Sequence, residues 1–135
     1  MPFTQDFDRA TRVVHERLFG EVMLSDLEGV AQAKFKLSPP SEPLKVCDDL
    51  RAANFRGLQT AELHRFVDGL KREAERMRLW KVALVAETDL QFGIARLFQS
   101  ICDPVDASIS VFRSLAEAHA WLGLPPGSDD SQRVG

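Results

Sequence analysis

Val82-Ala83-Leu84-Val85-Ala86 is a continuous apolar run, and what flanks it decides the fold. A run this short with a helix pattern on each side reads as a central parallel strand covered on both faces. Before it, Leu63, Phe66, Val67, Leu70, Ala74 and Met77 recur at helical spacing. They predict an amphipathic helix over 61–78 with Thr60 as its cap. After it, Thr88 or Asp89 can cap a second helix whose buried stripe is Leu90, Ile94, Leu97, Phe98 and Ile101.

The same pattern continues outward. Ser108-Ile109-Ser110-Val111-Phe112 is the last strand, with Ile109 and Val111 on one face. Ser114 and Glu117 form a capping box for a final helix, which Gly123 and Pro125-Pro126 end. Toward the N-terminus, Leu44-Lys45-Val46-Cys47 is a short strand running into Asp48-Asp49. The prolines at 39, 40 and 43 make the preceding stretch a loop. Ser25 and Glu28 make a second capping box, opening a helix weakened by Gly29. Residues 11–19 are rich in β formers, and their imperfect alternation suits an exposed, edge-like strand. Phe3 and Phe7 pair with it in a short strand across the polar turn at Asp8-Arg9. Strands alternating with helices predict an α/β sheet with right-handed crossovers.

Composition narrows the classes. The chain has 135 residues, enough for one domain. We place that domain at 1–123 and expect residues 124–135, rich in Gly, Pro, Ser and Asp, to be a disordered tail. With 17 basic against 20 acidic residues the net charge is −3, which argues against a nucleic-acid partner. No apolar run approaches the ~18–20 residues of a membrane span. The first residues lack the charged and apolar regions of a signal peptide, and Cys47 and Cys102 do not make a disulfide framework. A cytoplasmic chain with reduced thiols is expected.

Ligands of parallel sheets tend to sit outside the C-terminal strand ends. By this reading the candidate ligand or partner surface comprises Asp48, Asp49, Arg51, Arg56, Thr88, Asp89 and Arg113. Asp48, Asp49, Glu87 and Asp89 could collect a hard cation such as Mg²⁺. Helix caps, turns and pairing with the nearby arginines account for them more simply, so no metal is expected. No Gly-rich phosphate loop is present, and no cofactor is expected. His15, His64 and His119 lie on three separate elements without metal-ligand spacing. No nucleophile–base signature is legible, so no catalytic residue is assigned.

Trp80–Ala86 leading into Phe92-Gly93-Ile94-Ala95-Arg96-Leu97-Phe98, then Ile109-Ser110 and the ending Val111-Phe112-Arg113-Ser114-Leu115-Ala116-Glu117-Ala118-His119-Ala120-Trp121-Leu122, resembles the C-terminal signature of the SpoIIAA-like proteins. These are small bacterial α/β domains related in fold to STAS domains and CRAL-TRIO lipid carriers. The likeness spans roughly residues 10–122. It implies a mainly parallel sheet of four to five strands, an antiparallel N-terminal strand and about four helices. In phosphorylatable anti-anti-sigma factors of this kind, the switch serine follows a strand. The matching stretch here, Cys47 to Ala53, holds no Ser or Thr, so that switch is not expected. The leading expectation is a non-enzymatic binding or regulatory module, taking a protein partner or a small apolar ligand. Two alternatives stand beside it. One is a small metal-dependent enzyme or acceptor domain using the strand-end carboxylates. The other is an anti-anti-sigma-type antagonist without the phosphoserine. A homodimer stays open.

Overall fold

The computed structural model describes residues 2–37, 42–103 and 105–125. In chain order the elements are β1 (Phe3–Asp8), β2 (Val13–Glu21), α1 (Leu24–Leu37), β3 (Lys45–Asn54), α2 (Thr60–Arg72), β4 (Lys81–Val85), α3 (Asp89–Ile101), β5 (Ser108–Phe112) and α4 (Leu115–Trp121). The strands form one sheet in the order β1-β2-β3-β4-β5. β1 runs antiparallel to β2, and the remaining pairings are parallel. The α/β class, the antiparallel first strand and the four helices agree with the sequence reading.

The order never reverses, and this has a geometric consequence. Successive right-handed crossovers in one direction leave their helices on the same side of the sheet. Accordingly α1, α2 and α3 pack together over Val14, Leu18, Val46, Leu50, Val82 and Leu84. The opposite face carries a smaller cluster, in which α4 sets Ala118 and Leu122 against Val13, Cys47, Ala83 and Val85. A sheet without an order reversal lacks the crevice in which strand-end sites form. The space for a ligand therefore has to be sought on the two faces.

Several local expectations are corrected. β2 is an interior strand between β1 and β3, and the edges are β1 and β5. α1 begins at Leu24, before Ser25, and Asp26 instead of Glu28 closes its first turn by accepting from the Met23 amide at 2.8 Å. α2 ends at Arg72, and the following turns bring Met77 and Trp80 back into the core. Gln59, not Thr60, caps α2 through a reciprocal bond with Glu62. On α3, Thr88 is the cap, bonded to the Gln91 amide. Leu90 is 48% exposed, whereas Gln91 and Ala95 are buried. Phe66 is half-buried and stacks on Phe98. Leu124, assigned to a disordered tail, is buried against α4, and its amide donates to the His119 carbonyl. Residues 126–135 lie outside the described residues.

The largest correction concerns β3. It continues six residues beyond Asp48, to Asn54. Aspartates are poor strand residues. Here each is accommodated by a partner on its own face, so tertiary pairing overrides local preference.

Candidate functional site

Consecutive strand residues point to opposite faces. Asp48 and Asp49 are therefore separated by the sheet they belong to. Asp48 joins the face under α1–α3, and Asp49 the face under α4.

On the first face, Gln5, Glu16, Asp48 and Leu84 stand in one row across four strands. Lys34 of α1 reaches down onto this row. Its ammonium donates to Glu16 Oε1 at 2.8 Å and lies 3.9 Å from Asp48 Oδ2. Gln5 Nε2 donates to Glu16 Oε2 at 2.6 Å. Glu16 is 2% exposed and Asp48 8%. Burial opposes ionisation of Glu16, but Lys34 and the hydrogen bonds from Asp48, Lys34 and Gln5 outweigh it and hold the carboxyl below its usual range. Burial and the adjoining Glu16 charge push Asp48 well above its usual range. Burial acts against the Lys34 charge, yet Asp48 and Glu16 raise its pKa overall. These shifts favour an ionised Glu16 bonded to Lys34 beside an Asp48 carboxyl that holds its proton to higher pH than an ordinary aspartate.

This cluster borders a cavity of about 90 Å³ between the sheet and α1–α3. Its lining residues are apolar apart from Lys34 and Asp48, and Trp80 is among them. Trp80 Nε1 is buried and has no acceptor among the described residues.

The other sequence-predicted site residues do not converge there. Asp49 accepts from Arg51 Nε at 2.8 Å and Nη2 at 2.8 Å. Burial raises the Asp49 carboxyl, but the Arg51 bonds prevail and hold it below its usual range. Thr88 caps α3, and Arg113 binds the Glu87 carbonyl at 2.8 Å and Asp89 at 3.4 Å while lying over the Phe92 ring. Buried Gln91 ties this corner to β3 by donating to the carbonyls of Arg51 and Ala53. Arg56 stands exposed in the β3–α2 turn. Asp48, Asp49 and Asp89 thus occupy three different environments, and they do not form a common carboxylate site. Sequence reasoning missed Glu16, Lys34 and Gln91. An acid on an otherwise apolar strand face, as Glu16 is between Val14 and Leu18, was the available signal.

The face under α4 brings together residues that the sequence kept apart. His15 and Cys47 are register partners on β2 and β3, and His119 of α4 sits above them. The two imidazole rings are 5.6 Å apart, edge to face. The three residues line an open concavity together with Thr4, Asp6, Arg17 and Asp49.

Compared with protein-family models and with curated proteins, the sequence matches none. Among solved structures, the fold is similar to that of an uncharacterised DUF3478-family protein with a SpoIIAA-like fold from Shewanella loihica PV-4. The two superpose with a TM-score of 0.61 at 14% identity, over 89% of this chain and 93% of the other. The fold of the present chain is therefore SpoIIAA-like. Among the described residues, no helix is long and apolar enough to cross a membrane.

Proposed function

We propose that this SpoIIAA-like chain is a binding module that takes a small apolar molecule carrying one hydrogen-bond acceptor. The observations carrying this reading are the cavity under α1–α3, whose lining residues are apolar except for Lys34 and Asp48, and the buried, unpartnered indole N–H of Trp80, a residue of that lining. A buried donor left without an acceptor costs roughly 1–3 kcal/mol. An acceptor on an apolar ligand recovers that cost. Lys34 and Glu16 neutralise each other, so the site favours a neutral acceptor such as a carbonyl over an anion. Size sets a further limit. A cavity of ~150 Å³ takes up benzene. The 90 Å³ here suits a group somewhat smaller than that, unless α2 and α3 part at the Phe66–Phe98 stack. The small-ligand reading is preferred to a protein partner because Asp49, Arg51, Asp89 and Arg113 are engaged in pairs within the chain.

Acetone, smaller than benzene, is a suitable probe, with isobutene as the near-isosteric control lacking the acceptor. The expected result is a saturable shift of the Trp80 indole resonance by the ketone, weaker with the hydrocarbon. Ala95 lies in the cavity wall. Ala95→Leu fills the space and should abolish the response while the fold persists. A ketone response that survives Ala95→Leu, or no saturable response in the parent chain, refutes the proposal.

A further inference from the structure

We propose that His15, Cys47 and His119 form a binding site for one divalent transition-metal ion of the zinc class. It lies on the face of the sheet opposite the cavity and is independent of the binding function proposed above. Two imidazoles and a thiolate are the donor set that zinc prefers, and one that hard oxygen-seeking ions such as Mg²⁺ do not.

The spacing fits. The donor atoms of the three residues all lie within 4.8 Å of one another. Tetrahedral zinc, with bonds of about 2.0–2.3 Å, sets its ligands roughly 3.3–3.6 Å apart. Inward rotation by about 1 Å closes the difference. The same geometry separates two coordinating imidazole rings by roughly 5 Å between centroids. The observed separation is 5.6 Å, with the planes at 89°.

The supports are rigid. His15 and Cys47 stand side by side on hydrogen-bonded interior strands. α4 is held over them by two lysines that are themselves register partners on β3 and β4. Lys45 Nζ donates to the Leu122 carbonyl at 3.1 Å, and Lys81 Nζ to the Trp121 carbonyl at 2.8 Å. These cations satisfy the terminal carbonyls of the helix and fix its position, and with it the position of His119. Sites built on strands and anchored helices hold their geometry better than sites on loops.

All three residues line the concavity, with Cys47 2% and His119 6% exposed and His15 half-buried, so an ion held by them is largely enclosed by protein on one side and faces open space on the other. Three protein ligands with a fourth position facing a cavity is the open form of a zinc site, not the closed structural form. Asp6, the antiparallel neighbour of His15, stands on the same face. It can orient a metal-bound imidazole from outside the coordination sphere. Binding releases the Cys47 thiol proton to solvent, and no redox step is involved.

Cobalt(II) is a spectroscopic probe for this site. The purified full chain, stripped with a chelator, is titrated with Co²⁺ and then with Zn²⁺. The expected result is saturation at one ion per chain, with a thiolate-to-cobalt charge-transfer band and the intense visible bands of tetrahedral cobalt, all displaced by Zn²⁺. Zn²⁺ at about 100 times its dissociation constant should raise the melting temperature by roughly 5–15 °C. Cys47→Ser should remove the charge-transfer band, and His119→Gln should weaken binding at least tenfold. His119 lies on a surface helix, so the second variant keeps the test valid if the buried Cys47→Ser chain folds poorly. A spectrum without the sulfur band, or affinity unchanged in His119→Gln, overturns the proposal.

Discussion

The two faces of one sheet solve different problems with neighbouring residues. Under α1–α3 the strands bury a wide apolar surface and hold a charged cluster, Glu16, Asp48 and Lys34, beside its cavity. Under α4 a seven-residue helix packs over β3, β4 and β5 and leaves polar side chains of β1 and β2 beside open space. His15 and Glu16 are adjacent in sequence, as are Cys47 and Asp48, yet each pair is split between the faces. The comparison teaches that residue type alone does not define a site in a strand. The pleat sorts alternating residues into two environments, and covering helices decide which becomes dry.

The sharpest way to break the comparison is to remove the cation from the dry face. Lys34→Met leaves the Glu16 charge buried without its ammonium. Uncompensated buried charges of this kind cost about 3–5 kcal/mol. Chemical denaturation should show a loss in that range at neutral pH. A loss below about 1 kcal/mol would mean that water reaches Glu16 and that this face is not dry.

The thinner face predicts a smaller penalty. Leu122 is fully buried beneath α4 in the second cluster. Leu122→Ala should cost about 2–4 kcal/mol, toward the lower part of the range for buried leucines, because the short helix can settle into the space. Amide exchange should rise in α4 and stay slow in β3 and β4. If the whole sheet exchanges faster, the two faces form one cooperative core and the distinction fails.

Asp48→Asn gives the smallest effect and sharpens the comparison through pH. In the unfolded chain Asp48 loses its proton near its ordinary value of 3.8, while in the folded chain burial and Glu16 hold the proton to higher pH. The unfolded state therefore binds fewer protons than the native state above that value, and Asp48 lowers stability as pH rises. Asn does not titrate. The variant should match the parent near pH 3.8 and become more stable than it as the pH rises, while Glu16–Lys34 remains paired. Denaturation midpoints across acid and neutral pH measure this. A variant less stable than the parent at neutral pH would identify Asp48 as an ionised partner of Lys34.

By itself, the sequence determined the periodic parts of this protein. The apolar run at 82–86, the stripe Leu63-Val67-Leu70, and the Ser114 and Thr88 caps each act through neighbours a few residues away, and local physics suffices to read them. The resemblance of the final strand and helix supplied the SpoIIAA-like architecture, including the antiparallel first strand. Tertiary structure decided everything that depends on partners distant in the chain. Asp48 and Asp49 read as strand-end residues because their neutralising groups, apart from Arg51, lie elsewhere in the chain; the fold supplies Lys34 and Glu16 and so lets β3 run on through them. His15, Cys47 and His119 show no ligand spacing, since their proximity is a matter of strand register and of where Lys45 and Lys81 pin α4. Register and helix docking minimise the free energy of the whole sheet with its covering helices, and no short window of sequence contains both sides of those contacts.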